Sequence, residues 1–152
     1  LRNYVKRAWS KDVAKNFDGE LDTSELKNMI YSRFIPNAGL LDFIRTLHEK
    51  FILGVISNNP KEWFDFFVKT FGWDEIFQVQ AVSSYVHIRK PDIKIFQYAL
   101  DQAKVRPEES IYIDDRSDML QGAISLGMNV IVYENVGQFR KGLENFIIKH
   151  NN

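Results

Sequence analysis

A chain of 152 residues, 45% of them hydrophobic, is long enough for one globular domain with its own core and too short for two large ones. Twenty Lys and Arg balance twenty Asp and Glu, so no overall field draws the chain to nucleic acid or an anionic membrane, and no local basic patch stands out. The lack of cysteine excludes a disulfide framework, thiolate ligands and a cysteine nucleophile in this segment, and is compatible with a cytoplasmic location.

No apolar run approaches the ~20 residues of a membrane-spanning helix and no signal-peptide pattern opens the sequence, so a soluble protein is expected. The first residue is Leu1 and a helical pattern begins at once, as in a trimmed or incompletely represented chain. From Tyr4 to Phe34 the apolar residues recur at helical spacing, predicting helices over about 3–16 and 23–34, joined through Asp18-Gly19. Asp22-Thr23-Ser24-Glu25 reads as the cap of the second, with a glutamate three positions on. Pro36-Asn37-Ala38-Gly39 breaks the pattern, which places a boundary between a helical segment, 1–35, and a second region, 36–152.

After the break, strands alternate with helices, predicting βαβ units and a parallel sheet covered on both faces. A helix over 38–50 leads to the apolar run Phe51 to Ile56, and Pro60 sits in the first turn of the next helix. A weaker strand follows at Gln78 to Val82, then a helix from Pro91 to Lys104. Ile111-Tyr112-Ile113 is a short buried strand, 117–126 a helix, Val130 to Tyr133 a strand and 137–149 a closing helix. Ligands of open α/β sheets bind beyond the carboxyl ends of the strands, so the polar residues following each strand are the ones to question.

Three such places carry polar groups: Ser57-Asn58-Asn59, Lys90-Pro91-Asp92 after a loop, and Asp114-Asp115. Two carboxylates ~4 Å apart repel by ~4 kcal/mol at an effective dielectric of 20, so a pair fixed beside a buried strand calls for a cation. Mg²⁺ suits hard oxygen ligands and keeps room for water and phosphate. The plainer alternative is that one carboxylate caps the helix near Ser117 and the other is solvated. Ser57 and Asn58 stand where a helix begins, a place that attracts anions, although Asn58 or Asn59 as a simple cap before Pro60 is at least as good a reading. Lys90, stiffened by Pro91, offers a point charge to a phosphate oxygen or a carboxylate; a single lysine is by default a solvated one.

Taken in order, Gly54-Val55-Ile56-Ser57-Asn58-Asn59, Arg89 to Phe96, and Ile111-Tyr112-Ile113-Asp114-Asp115-Arg116 with Gly122-Ala123 and Leu126-Gly127-Met128 resemble the second, third and fourth motifs of the haloacid dehalogenase (HAD) superfamily. The resemblance runs from about 36 to 133, and 1–35 resembles the end of the α-helical cap that many members insert before the second motif. It implies a three-layer, Rossmann-like α/β core and a Mg²⁺-dependent phosphatase acting on a small phosphate ester through an aspartyl-phosphate. Ser57 would hydrogen-bond the transferring phosphoryl group, with Asn58 lining the site. Lys90 would neutralise nucleophile and phosphate. Asp115 would be the direct Mg²⁺ ligand, and Asp114 a second ligand or an orienter of metal-bound water.

Two departures from the family pattern matter. Where relatives commonly place Asn or Asp four positions after the second aspartate stands Met119, with Asp118 one residue earlier. The first motif, an apolar strand ending in Asp-x-Asp-Gly-Thr, is missing; its first aspartate attacks phosphorus and its second is general acid and base. Asp18-Gly19-Glu20-Leu21-Asp22 follows no apolar strand and reads as a turn. The nucleophile is therefore expected outside these residues, and the 152-residue piece alone is expected to be inactive.

Other candidates carry less. Arg7, Trp9 and Lys11 are better read as a solvated face than as a substrate pocket, and the aromatics Trp63, Phe64, Phe66, Phe67 and Phe71 as packing. His48, His87 and His150 lack ligand spacing. A response-regulator receiver is excluded by motif order. The closest rivals are a haloacid dehalogenase, which typically has a serine-asparagine fourth motif and needs no metal, and a non-catalytic binding domain of the same fold. Substrate identity and oligomeric state are not written in the sequence.

Overall fold

The computed structural model describes residues 23–150. The chain divides into two units, Leu1–Pro36 and Asn37–Asn152. In the first, helix α1 spans Thr23–Tyr31, as the spacing predicts, and the hydroxyl of Ser32 donates to the Met29 carbonyl at 2.8 Å beyond its end. The helix expected over 3–16, the Asp18-Gly19 turn, Asp22 and the Arg7, Trp9 and Lys11 face lie outside the described residues.

The second unit opens with α2, Ala38–Leu47, capped by the Asn37 side chain, which accepts the Leu40 N–H at 3.2 Å. Strand β1, Gly54–Ser57, leads to α3, Lys61–Phe71, which follows Pro60 and ends at Gly72 with φ 66°. A short α4, Trp73–Ile76, precedes β2, Val79–Val82, and a short α5, Ser83–Val86, follows it. Then come α6, Ile93–Ala103, strand β3, Ile111–Asp114, α7, Gln121–Leu126, strand β4, Asn129–Val132, and α8, Val136–His150.

The strands are parallel, as the alternation predicts, but they fall into two pairs: Gly54 to Ser57 of β1 matches Val79 to Val82 of β2, and Ile111 to Asp114 of β3 matches Asn129 to Val132 of β4. One layer serves both pairs. Ala81 of β2, Tyr112 of β3, Ile95 and Phe96 of α6, and Ala123 of α7 form one core, with Ile56 of β1 and Val130 of β4 packed against it. On the opposite face of the second pair, Ile111, Ile113 and Ile131 pack on a cluster of Phe43 from α2 with Phe139 and Leu143 from α8. Residues 111 to 113 thus alternate between two helical layers, as expected of strands covered on both faces, in the three-layer Rossmann-like arrangement that the family resemblance implied.

The aromatics of α3 behave as packing. Phe64 is fully buried and Phe67 nearly so, and both rings meet Trp73, at centroid distances of 5.8 and 4.9 Å. The helix expected over 117–126 is a single 3₁₀ turn, Ser117–Met119, followed by the six residues of α7. Gly127, at φ 86°, ends α7, and the Met128 N–H reaches back to the Ala123 carbonyl at 3.1 Å.

Candidate active site

Ser57 closes β1, Asn58 follows it, and Asp114 closes β3, so pleat and chain direction put these polar groups at strand carboxyl ends. The turn before α6 is tied to the first of those ends. The Lys90 N–H donates to Asn58 Oδ1 at 2.8 Å, and Asn58 Nδ2 donates to the Lys90 carbonyl at 3.0 Å. This reciprocal clasp fixes where the Lys90 side chain starts.

That side chain crosses to β3. Lys90 Nζ donates to Asp114 Oδ2 at 2.6 Å and to the Tyr112 hydroxyl at 2.8 Å, while the Tyr112 hydroxyl donates to the same Asp114 Oδ2 at 2.6 Å. Asp114 Oδ1 accepts the Arg116 N–H at 3.0 Å. The Lys90 and Asp114 side chains are only 12% and 10% exposed, so their attraction is little screened.

Burial pushes the Asp114 carboxyl up, but hydrogen bonds from Lys90 and Tyr112, the lysine charge and the Arg116 N–H outweigh it. The net direction is below the ordinary carboxylate value. Burial, and then the hydrogen bond to Asp114 and its negative charge, drive the Tyr112 phenol far above its ordinary value, so it stays protonated and donates.

Ser57 is a buried polar residue, 8% exposed, whose hydroxyl has no hydrogen-bond partner among the described residues. Asp115 is exposed and makes no hydrogen bond or ion pair with a described residue. Asp118, also exposed, is taken by Arg116: Nε donates to its Oδ1 at 3.0 Å and Nη2 to its Oδ2 at 2.5 Å, and these bonds hold its carboxyl below the usual range.

Among the described residues, no group of three or more His, Cys, Asp or Glu gathers into a cage for a metal. Mg²⁺ does not require one, since it is commonly held by one or two carboxylates with water and substrate phosphate. Asp115, with both oxygens uncommitted, fits the part of a single hard ligand, whereas Asp114 spends its oxygens on Lys90, Tyr112 and Arg116. His48, His87 and His150 belong to no such group either.

Two contributors escaped the sequence reading. Tyr112 lies two residues before Asp114, and the period of two puts both on one strand face, a signal that was present in the sequence. Gly122 was noted only as part of a motif. A Cβ there would sit 2.4 Å from the Pro91 carbonyl oxygen and 2.5 Å from Phe96 Cε2, so glycine lets α7 close on the turn that presents Lys90.

The parallel α/β layers, with carboxylates and a hydroxyl at the strand ends and a lysine on the turn before α6, define a Rossmann-like protein with a candidate site at the carboxyl edge of the strands. The chain belongs to the haloacid dehalogenase-like hydrolase family, whose profile matches residues 4–133.

It is 32% identical over 108 residues to a glyceraldehyde 3-phosphate phosphatase of Pyrococcus furiosus, a match covering 68% of this chain and 43% of that protein. It is also 24% identical over 124 residues to (S)-2-haloacid dehalogenase 1 of a Pseudomonas species, covering 79% of this chain and 55% of that one. The chain thus spans about half the length of these curated relatives. A HAD family enzyme of Bacteroides thetaiotaomicron, solved as an aspartate-to-alanine mutant with magnesium and inorganic phosphate, superposes with a TM-score of 0.67 at 23% identity, covering 84% of this chain and 70% of that one. Among the described residues, no helix is long and apolar enough to cross a membrane.

Proposed function

We propose that the protein is a Mg²⁺-dependent phosphatase of a small phosphate ester, completed by a nucleophilic aspartate from a segment outside these 152 residues. The observation that carries this reading is the Lys90 ammonium, anchored on Asp114 and tied through Asn58 to the strand that ends in Ser57. A fixed, partly desolvated cation, on a turn clasped to the residue that follows the buried Ser57, suits a phosphoryl group, whose charge spreads over its oxygens in the transition state.

In this reading Lys90 neutralises nucleophile and phosphate, and Ser57 hydrogen-bonds the transferring group. Asn58 acts mainly by holding the Lys90 backbone. Asp115 is the Mg²⁺ ligand of this strand end, and bound metal would supply charge neutralisation of the phosphate. Asp114 serves Lys90 first and would orient metal-bound water rather than hold the metal itself. The edges of β1 and β3 away from β2 and β4 pair with no described strand, and a strand laid along them would bring a carboxylate to the same rim. Residues 1–35 are the end of a helical cap that selects the substrate.

The phosphatase relative and the magnesium and phosphate bound by the structural neighbour support this reading over dehalogenation. So does Asp114-Asp115, where a dehalogenase typically has serine and asparagine. In the full-length protein, an aryl phosphate should be cleaved with Mg²⁺ and not with EDTA, and Asp115→Ala should abolish turnover. Unchanged activity in that variant would remove the metal assignment. Metal-independent halide release from a 2-haloacid would favour the rival activity.

A further inference from the structure

We propose that Tyr112 is a positioning residue: its hydroxyl locks the Lys90 ammonium and the Asp114 carboxylate into one fixed triangle and leaves a lysine N–H for an incoming phosphate oxygen. The consequence for phosphate rests on the phosphatase reading above; the triangle does not.

Three contacts of 2.6, 2.8 and 2.6 Å join Lys90 Nζ, the Tyr112 hydroxyl and Asp114 Oδ2. A lysine on its flexible four-carbon stem, holding a carboxylate alone, can swing about that single contact. A second acceptor at 2.8 Å fixes its direction. Of the three ammonium donors, one goes to Asp114, one to Tyr112, and one remains.

The phenol is well suited to this work. The residue is 7% exposed and its ring meets the fully buried Phe96 edge to face at a centroid distance of 4.9 Å, so the hydroxyl cannot wander. Lys90 Nζ also lies 5.5 Å from the Tyr112 ring centroid, within reach of its π face. The hydroxyl uses a lone pair toward Lys90 and its proton toward Asp114, so one group satisfies both partners at once. Asp114 Oδ2 thereby receives two donors and Oδ1 the Arg116 N–H, which commits Asp114 to the lysine and leaves Asp115 as the uncommitted carboxylate of this strand end.

The test is Tyr112→Phe in the full-length protein, which keeps the ring and deletes the hydroxyl. Reductive methylation read by mass spectrometry should label Lys90 at least about threefold faster than in wild type, with the other lysines unchanged, because one of its two anchors is gone. Aryl phosphatase kcat/KM should fall roughly tenfold, the size of a lost hydrogen bond to a charged group. Unchanged Lys90 labelling in the folded variant overturns the proposal, whatever the activity does.

If the wild-type protein cleaves no phosphate ester, the phosphatase reading fails while the labelling still decides the role of Tyr112. Should the variant unfold and all lysines label, the wild-type protein gives the answer: nuclear Overhauser contacts between the Lys90 ε-methylene and the Tyr112 ring are expected, and their absence refutes the triangle.

Discussion

At the residue scale the Lys90 and Asp114 side chains are each largely withdrawn from water, so each charge depends on the other. Removing one partner of a buried pair leaves the other uncompensated. Asp114→Ala should therefore cost about 2–3 kcal/mol, below the fully buried range because some exposure remains. Replacing both, as Lys90→Met with Asp114→Leu, should recover most of that loss while destroying the site, as urea unfolding of the single and double variants would reveal.

The sign of the pH dependence follows from the depressed Asp114 carboxyl. A group whose folded value lies below its unfolded one contributes stability that is present above the unfolded carboxylate value, about 4, and lost as pH falls through the folded value. The gap in stability between wild type and Asp114→Ala should thus be constant near neutrality and shrink below about pH 4. A gap that widened in acid would contradict the assignment. Ser57 and Asp114 were legible because a polar residue at the end of an apolar strand breaks its pattern, whereas Lys90, which follows no strand, stood out only by its order relative to the other motifs. Tyr112 shares a strand face with Asp114 by the period of two, but an aromatic in a buried strand is what the pattern expects, so that signal did not stand out.

At the scale of elements, the Lys90 turn is held from two sides, by Asn58 and by the close approach of α7 at Gly122. Adding a methyl there drives it into the Pro91 carbonyl and the fully buried Phe96 ring, so Gly122→Ala should destabilise the fold by about 1–3 kcal/mol. Because the strain falls on the residue next to Lys90, phosphatase activity in the full-length variant should drop further than a change of the same stability cost on the exposed face of α8. Equal losses would show that Gly122 matters for packing alone.

Long elements were legible from their periodicity: α2, α3, α6 and α8 stand close to where the spacing predicts them. The four-residue helices α4 and α5 were not, since one turn is too short to display a period of 3.6. The first part of the expected helix over 117–126 tightens into a 3₁₀ turn, where Asp118 turns to Arg116 rather than into a regular helical face.

The whole second unit is organised by a shared core on one side and a more local one on the other. Phe96, Ile95 and Ala81 are completely buried in the layer that carries both strand pairs, and the cluster around Phe43 and Phe139 covers β3 and β4 alone. Alternation of strands and helices made the layers readable from sequence. It did not make the pairing readable: nothing in residues 36–152 says that β1 and β3 are joined through Lys90 rather than through backbone hydrogen bonds, because register and neighbourhood are long-range properties.

The central claim is that Ser57, Lys90 and Asp115 serve one phosphate and one cation. Titration of isotope-labelled full-length protein with inorganic phosphate in the presence of Mg²⁺, followed by NMR, tests it directly. The signals of Ser57, Lys90 and Asp115 should move together and saturate at a single dissociation constant, and the Lys90 response should vanish in Asp115→Ala if the cation bridges the two. Shifts that scatter over unrelated surfaces, or a phosphate that binds while these three residues stay still, would contradict it.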